Sequence, residues 1–387
     1  MDNKKISEVF LEISEAIESG KFGKKVKIGL TTLGSEHGVE NMKKAIELAK
    51  SDLFEVVVIG ERVDDEHETY EVDNDEDMYK KMEELLDSGE IQACVTLHYN
   101  FPIGVSTVGR VYTPGHGKEM FLATTTGTSD TERTKAMVRN AVAGIIAAKS
   151  CGIAKPTVGI LNIDGARQVE KALKHFKDNG FDIEFAESQR ADGGIVMRGN
   201  DLLMGSCDVM VTDSLTGNLL MKMFGSFTSG GNYETTGFGY GPGIGEGYER
   251  NIFIVSRASG APVVANALKY AYQTVAGGID KNKKSIYKQA HKADFNGILE
   301  SLSKKEAPKA SSEEVKMPDK EVVSATISGI DILEIEDAVQ ALWKENIYAE
   351  SGMGCTGPIV QVSDANLDKA SQILKPVSYT HLRAHET

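Results

Sequence analysis

Three segments of the sequence combine small and polar residues in a way that could bind an anion. They are TTLGSEHGVEN (31–41), VTDSLTGNLLMK (211–222) and IVSRASGAPVVANAL (254–268). Each follows an apolar run typical of a buried strand and leads into a helical pattern. Because the first backbone N–H groups of a helix have no partner within the helix, each segment could offer hydrogen-bond donors to a phosphate.

The third segment gives the strongest indication of an anion site. Its strand ends in Ser256 and Arg257, and Ser259 opens a long apolar helix. An arginine at a helix N-terminus is unfavourable for the helix dipole, so an anion is expected to offset it. A guanidinium fork, two hydroxyls and helix N–H groups together suit a phosphate. A surface salt bridge is the alternative interpretation.

The other two segments add candidates for phosphate or acyl binding. In the second, a helix cap needs only one or two of the polar and small residues present. These residues are Asp213, Ser214, Thr216, Gly217 and Asn218. In the first, Gly34 and Gly38 let the backbone approach a ligand, and Glu36 and His37 lie between them. A tight strand-to-helix turn explains the first segment equally well.

A glycine-rich segment, 228–250, lies between the second and third segments. Its sequence, TSGGNYETTGFGYGPGIGEGYER, is too rich in glycine for regular structure. We expect a mobile cover or a wall of an acyl site, or else an unstructured surface loop. The GPGIGEG motif lacks the strand–turn–helix setting of a dinucleotide-binding loop, and no metal-ligand spacing is evident, so the sequence predicts neither a cofactor nor a metal.

Cys355 lies in ESGMGCTGPIV (350–360), with no histidine, lysine or second cysteine near it in sequence. Gly352, Gly354 and Gly357 remove side chains around the sulfur and leave backbone N–H groups free to stabilise a thiolate or an oxyanion. We therefore interpret Cys355 as a reactive thiol that carries or accepts an acyl group. The alternative is a cysteine packed in a tight turn.

The other three cysteines give weaker signals. Cys151 ends a helix and Cys207 precedes a buried strand, so both are expected to be small core residues. Cys94 shares one face of a predicted strand with His98. Four residues of strand separate these two by roughly 13 Å, which is too far for a cysteine–histidine dyad.

The elements that must position these residues alternate between strands and helices. Strands are predicted at 26–30, 54–60, 93–97, 120–124, 157–163, 181–187, 208–213 and 251–256. Their continuous apolar runs predict an α/β fold with a mostly parallel sheet and helices on both faces. Ligands of such folds bind at the carboxyl ends of the strands. A helix after Ser129 is expected to open with a capping box from Ser129 to Glu132.

The chain is predicted to form a core over 1–302, a linker over 303–321 and a small α/β module over 322–376 that carries Cys355. If flexible, the linker has a root-mean-square span of roughly 24 Å, enough to bring a tethered cysteine to the predicted phosphate site. The last residues, 377–387, resemble a translated sequencing adapter, and we interpret them as a non-native tail.

Composition limits the possible partners. The chain has 387 residues, a formal net charge of −14, 41% hydrophobic and 26% charged residues. The negative charge argues against nucleic acid or an anionic membrane surface as the main partner, but it allows an anionic substrate in a local basic pocket. The N-terminus is amphipathic and unlike a signal peptide, and no stretch could span a bilayer. Four scattered cysteines without a CxxC pair predict reduced thiols in a cytoplasm.

The order of the motifs LGSEHG, ACVTLHYNFPIG, VGILNI, DVMVTDSLTGN and IVSRASGAP resembles that of the acyl-acyl-carrier-protein:phosphate acyltransferases, and more distantly of the phosphotransacetylases. This resemblance covers about residues 24–302. With its C-terminal cysteine module, the whole chain resembles the family of component C alpha subunits from glycine/sarcosine/betaine reductase complexes. The resemblance implies an isopropylmalate-dehydrogenase-like fold and the release of an enzyme-bound acetyl thioester by phosphate as acetyl phosphate.

The same resemblance places the motifs of the phosphate acyltransferases on the three segments. Their first glycine loop falls on 34–38, their DGFxGN motif on 213–218 and their SHGS motif on 256–259. Arg257 stands where phosphotransacetylases also have an arginine. The carboxylate that follows this arginine in phosphotransacetylases is missing, since Pro262 occupies the region, so coenzyme A chemistry is not implied.

The resemblance also implies partners. These are a ketoacyl-synthase-like beta subunit of component C and the selenoprotein A of the reductase, with phosphate and an acetyl thioester as substrates. It leaves Cys94 as either an acyl-site residue or a core cysteine. We therefore expect an acyltransferase subunit. The alternatives are a free-standing phosphate acyltransferase that uses acyl-carrier protein, and a non-catalytic scaffold whose glycine loops dock a partner enzyme.

Overall fold

A computed structural model of the chain describes residue 14 and residues 25–189, 193–303, 315–330, 335–354, 357–374 and 383–385. The chain divides into two compact units, Met1–Ser303 and Lys304–Thr387. Cys355 and residues 304–314 of the predicted linker lie outside the described residues. The predicted linker boundaries stay a prediction.

The first unit alternates between strands and helices. Its strands are β1 (Val26–Thr31), β2 (Phe54–Gly60), β3 (Thr69–Glu71), β4 (Ala93–Thr96), β5 (Val105–Tyr112), β6 (Glu119–Ala123), β7 (Thr157–Leu161), β8 (Glu184–Phe185), β9 (Val196–Met197), β10 (Val209–Val211), β11 (Gly241–Gly245) and β12 (Ile252–Ile254). Its helices are α1 (Gly38–Ala49), α2 (Asp75–Asp87), α3 (Arg133–Ser150), α4 (Ala166–Asp178), α5 (Gly199–Met204), α6 (Ser214–Ser226), α7 (Ala261–Ala276), α8 (Ile279–Lys292) and α9 (Phe295–Ser303).

These strands form one sheet in the order β3-β2-β1-β4-β12-β11-β5-β6-β10-β7-β8, and β9 also pairs with β7. Strands β3, β2, β1, β4 and β12 are parallel, and so are β6, β10, β7, β8 and β9. Between these two blocks, β11 and β5 are each antiparallel to both neighbours, so the blocks run in opposite directions. The predicted α/β fold with a mostly parallel sheet is confirmed.

Helices cover both faces of the sheet, which explains why its strands are continuous apolar runs. In β2, Val56 and Val58 belong to the core cluster that also contains residues of α1, α3 and α7. Val57 and Ile59 belong to a different cluster, with Met78 of α2. Successive side chains of a strand point to opposite faces, so both faces of β2 are buried.

The predicted capping box after Ser129 is wrong. Helix α3 begins at Arg133, with Glu132 as its N-cap residue and no side-chain cap bond. The Ser129 hydroxyl instead donates to Asn140 Oδ1 at 2.7 Å. Asn140 is fully buried within α3, and its amide must find hydrogen-bond partners inside the protein.

The prediction that the glycine-rich segment has no regular structure is also wrong. Gly241–Gly245 form β11, which is buried along its whole length between β12 and β5. A Cβ atom on Gly241 would lie 1.6 Å from the Val108 carbonyl oxygen, and one on Gly243 would lie 2.3 Å from the Phe101 ring. Glycine is needed because the neighbouring backbone and ring leave no room for side chains.

The second unit combines strands and helices. They are β13 (Ala325–Ser328), α10 (Ile335–Lys344), β14 (Ala349–Gly354), β15 (Gly357–Val362), α11 (Leu367–Leu374) and β16 (Arg383–His385). The sheet order is β14-β15-β13-β16, with every pairing antiparallel. Side chains of α10 and α11, such as Leu342 and Leu374, form a core with Ile327 and Val360 of the strands. The interpretation of residues 377–387 as a non-native tail stays a prediction.

Candidate active site

Residues that follow strands of both parallel blocks line one cleft of about 440 Å³. They are residues 97–101 after β4, 126–128 after β6 and 255–257 after β12. Asn218 and Lys222 of α6, together with Tyr240 and Ile254, complete the lining. The cleft therefore lies at carboxyl ends of strands, where ligands of α/β sheets bind. It brings the second and third sequence segments together.

The first segment lies against the third beside this cleft. The Glu36 backbone N–H donates to the Arg257 carbonyl oxygen at 2.9 Å, and His37 Nε2 lies 3.3 Å from the Ala258 carbonyl oxygen. Gly34 has a φ of +86°, and a Cβ atom there would lie 3.8 Å from Arg257 Nε. The glycine thus allows a left-handed turn beside the guanidinium group. Gly34, Glu36 and His37, which were predicted for this site, therefore lie close to the third segment.

Hydrogen bonds fix the turn from Ser256 to Ser259. The Ser256 N–H donates to Ser259 Oγ at 3.0 Å, and the Ala258 N–H donates to Ser256 Oγ at 3.2 Å. Ser259 is fully buried, and its hydroxyl donates to Glu234 Oε2 at 2.7 Å. The Ser259 proton therefore points away from the cleft. Ser256, which lines the cleft, accepts within the turn and keeps its own proton available for a ligand.

Two of the predicted residues at the start of α6, Asp213 and Gly217, have structural roles in capping and packing the helix. Asp213 is the N-cap residue, and its carboxylate accepts from the Thr216 N–H at 2.7 Å. Gly217 is buried, and a Cβ atom there would lie 1.7 Å from the Thr124 carbonyl oxygen. The helix therefore rests directly on the Thr124 backbone. This contact places Asn218, the next residue, at the cleft.

Two cations line the cleft without a carboxylate partner. Among the residues that the structure describes, no aspartate or glutamate forms an ion pair with Arg257 or Lys222. In a chain with a net charge of −14, such a pair of cations attracts an anion to the cleft. Sequence reasoning missed Lys222. The available signal was its spacing of four residues from Asn218, which places both on one side of a helix.

Aromatic side chains form another wall of the cleft. The Tyr99 and Phe101 rings pack edge to face with centroids 5.0 Å apart. The Tyr99 hydroxyl donates to Glu83 Oε1 at 2.6 Å, and the Tyr240 hydroxyl donates to Glu234 Oε1 at 2.8 Å. Burial, and then the neighbouring carboxylate, raises the pKa of both phenols. Both therefore stay neutral, and their rings offer an apolar surface beside the cationic end of the cleft.

The described cysteines lie away from the cleft. Cys94 is fully buried in β4, and a Cβ atom on Gly29 of β1 would lie 2.8 Å from its sulfur. Burial raises the pKa of the Cys94 thiol, so the arrangement favours the core-cysteine alternative. Burial also raises the pKa of Cys151 and of Cys207 to about 12. The role of Cys355, outside the described residues, stays a prediction.

The polar side chains at the cleft include cationic groups from Lys222 and Arg257, a hydroxyl group from Ser256 and an amide group from Asn218; His98, Asn100, Thr126 and Thr128 also line it. Across the described ranges, no three or more His, Cys, Asp or Glu side chains are grouped so that they could hold a metal ion. Among the helices of the described residues, none combines the length and the apolar character needed to cross a membrane.

Comparisons with known proteins agree with the motifs. The family described as "Fatty acid synthesis protein" matches residues 26–361. Over 372 residues the chain is 61% identical to the glycine/sarcosine/betaine reductase complex component C subunit alpha of Peptoclostridium acidaminophilum, covering 96% of this chain and 97% of that protein. A shorter match, of 76 residues at 42% identity, relates it to a phosphate acyltransferase of Phenylobacterium zucineum, covering 18% of this chain and 19% of that protein.

Among solved structures, a branched-chain phosphotransacylase from Enterococcus faecalis V583 matches with a TM-score of 0.46 and 16% identity, covering 65% of this chain and 99% of that one. The sequence matches confirm the resemblance that the motif order indicated. The family match spans most of the chain, and the component C relative is matched over nearly its full length. The chain therefore belongs, together with that alpha subunit, to the fatty acid synthesis protein family.

Proposed function

We propose that this chain is the acyltransferase subunit of a glycine/sarcosine/betaine reductase complex, and that it converts an enzyme-bound acetyl thioester and inorganic phosphate to acetyl phosphate. The cleft lined by two cations, Arg257 and Lys222, neither of which forms an ion pair with a described carboxylate, is the observation on which the proposal rests. The name of the 61% identical relative supports membership of such a complex. The name of the partial match, phosphate acyltransferase, supports phosphate as the acyl acceptor.

In this proposal the cationic end of the cleft binds the phosphate. The guanidinium fork of Arg257 suits two phosphate oxygens, and the Lys222 ammonium and the Ser256 hydroxyl donate to the others. Asp213 and Ser259 act indirectly, because their side chains hold α6 and the Ser256–Ser259 turn in place. The loop at Gly34 leaves room for the anion beside Arg257.

The chemical step is a nucleophilic substitution at the thioester carbonyl. A phosphate oxygen attacks the carbonyl carbon, a C–O bond forms, and the C–S bond breaks from the tetrahedral intermediate. The proton of the hydrogen phosphate ion passes to the departing thiolate, so the products are acetyl phosphate and a thiol. The Asn218 amide is the proposed donor to the oxyanion, and the aromatic wall accommodates the methyl group.

Cys355 is proposed to carry the acetyl group as the thioester. The three glycines close to it in sequence support this role, and the raised pKa of Cys94, Cys151 and Cys207 keeps those thiols protonated near neutral pH. Cysteine-directed labelling of the native protein, read by mass spectrometry, tests the assignment. If Cys355 reacts no faster than Cys151 and Cys207, and Cys355→Ala keeps full activity, the role is excluded.

The proposed partners are a ketoacyl-synthase-like beta subunit and the selenoprotein A of the reductase, and the predicted cytoplasmic location belongs to the same proposal. In this proposal these partners deliver the acetyl group to this chain as a thioester. Co-expression with the beta subunit followed by purification should therefore yield a complex. A fully active homo-oligomer that does not bind the beta subunit would favour the free-standing acyltransferase.

Phosphate-dependent release of thiol tests the proposed reaction. The purified chain is supplied with S-acetyl-N-acetylcysteamine, a small acetyl thioester, and phosphate is varied. Thiol should appear together with acetyl phosphate in equal amounts. Sulfate has the same shape as phosphate but is a poor nucleophile, so it should support no release. Equal release with sulfate, or without any anion, would mean simple hydrolysis and would exclude the proposal.

A further inference from the structure

A buried carboxylate lies behind the cleft and takes no part in the proposed reaction. Glu234 is 5% exposed, and within the described residues no lysine, arginine or histidine forms an ion pair with it. A buried carboxylate without a cation is costly to the fold. Its two oxygens are nevertheless both hydrogen-bonded, and each bond leads to a residue of the candidate site.

One oxygen of Glu234 holds the Ser256–Ser259 turn in place. Glu234 Oε2 accepts from the Ser259 hydroxyl at 2.7 Å, and Ser259 Oγ in turn accepts from the Ser256 N–H at 3.0 Å. The backbone makes the same connection, since the Glu234 N–H donates to the Ala258 carbonyl at 3.1 Å and the Gly260 N–H donates to the Glu234 carbonyl at 2.8 Å. Glu234 is therefore bonded to the turn through both its backbone and its side chain.

The second oxygen holds the aromatic wall. Glu234 Oε1 accepts from the Tyr240 hydroxyl at 2.8 Å, and the Tyr240 ring lines the cleft. Because both carboxylate oxygens accept, the hydroxyl protons of Ser259 and Tyr240 point toward Glu234. One side chain thus orients both a residue of the Ser256–Ser259 turn and an aromatic residue of the cleft.

Glycines leave space for this carboxylate. A Cβ atom on Gly225 would lie 3.1 Å from Glu234 Cγ, and a Cβ atom on Gly260 would lie 3.0 Å from the Glu234 carbonyl oxygen. Both distances are tighter than ordinary side-chain contacts, so larger residues would displace Glu234. The position of the carboxylate is therefore fixed by the packing around it as well as by its own hydrogen bonds.

We propose that Glu234 is the positioning residue of this site: through Ser259 it orients the turn that carries Ser256 and Arg257, and through Tyr240 it orients the aromatic wall. It acts by accepting hydrogen bonds and does not touch the substrate. The inference rests on the proposed function, because phosphate is taken as the ligand of that turn. Sequence alone could not identify Glu234, since the glycine-rich segment around it was expected to lack structure.

The test uses the full chain and the thiol-release assay with phosphate varied. Glu234→Ala should raise the KM for phosphate at least about tenfold and lower kcat by less than about threefold, because the turn is misplaced but the reacting groups remain. Glu234→Gln should stay within about threefold of the wild type, since its carbonyl oxygen can accept from Ser259 while its amide donates to Tyr240. Glu249→Gln, in the same segment with an 80% exposed side chain, is the matched control.

A double-mutant cycle separates positioning from general damage. Ser259→Ala already removes the hydrogen bond between Ser259 and Glu234. Adding Glu234→Ala to that variant should therefore raise the KM for phosphate by less than about threefold. A full tenfold effect in the Ser259→Ala background, or a Glu234→Gln variant as impaired as Glu234→Ala, would overturn the proposal. If the wild type itself releases no thiol, the proposed reaction fails. In that case, calorimetric titration with phosphate still tests the role of Glu234. Weaker phosphate binding by Glu234→Ala than by the wild type supports the role, and equal binding contradicts it.

Discussion

Replacing Arg257 by alanine tests the phosphate end of the cleft. The Arg257 side chain is exposed and, within the described part of the chain, has no ion-pair partner, so its removal leaves no buried charge unpaired. The midpoint of thermal unfolding should therefore change little. A bound phosphate, in contrast, loses a charge-assisted bidentate contact worth about 2 kcal/mol at a solvent-accessible site. Because about 1.4 kcal/mol corresponds to a tenfold change, the KM for phosphate should rise about thirtyfold.

The assay is thiol release from the acetyl thioester at a fixed concentration, with phosphate varied. Arg257→Lys keeps the charge but loses the planar fork, so its KM should lie between those of the wild type and the alanine variant. Arg167→Ala is the control, because Arg167 lies on α4, pairs with Glu170 and is absent from the cleft. An unchanged KM for phosphate in Arg257→Ala would refute the assignment of the anion site.

Three further substitutions test other parts of the account. Lys222→Ala should raise the KM for phosphate about fivefold, the effect of about 1 kcal/mol at an exposed site, and Lys222→Arg should restore it. Gly217→Ala should lower the free energy of unfolding by about 3 kcal/mol in urea titration, because its Cβ would overlap the Thr124 carbonyl, whereas Gly199→Ala meets no atom within 4 Å and should be nearly neutral. Cys94→Ala should keep full activity and lose only about 1 kcal/mol of stability, since the thiol fills a core position.

The fold was largely predictable because most strands of the sheet are buried on both sides. Strand β2 occupies the predicted residues 54–60, and β1 agrees to within one residue. Strand β5 was not predicted, because it contains polar residues whose partners are distant in sequence. Arg110 in this strand is buried, forms an ion pair with Glu119 and donates to Gln273 Oε1 at 2.6 Å. A sequence pattern cannot show that such a charge will be satisfied.

The candidate site was predictable to a smaller extent. The convergence of Gly34, Asn218 and Arg257 followed from the rule that ligands bind at the carboxyl ends of strands. The direction of the Ser259 hydroxyl could not be predicted in this way, because the hydroxyl donates to Glu234, a residue of the glycine-rich segment. Lys222 was missed for a related reason: its exposure to the cleft depends on how α6 packs.

The most direct measurement is the exchange of radiolabelled phosphate into acetyl phosphate, catalysed by the purified chain. Exchange requires the acetyl group to move from phosphate to a thiol and back, so it needs both the anion site and a thiol. The account predicts exchange by the wild type, loss of exchange at low phosphate in Arg257→Ala, and loss in Cys355→Ala that an added small thiol restores. No exchange by the wild type with or without added thiol, or undiminished exchange by Arg257→Ala, would contradict it.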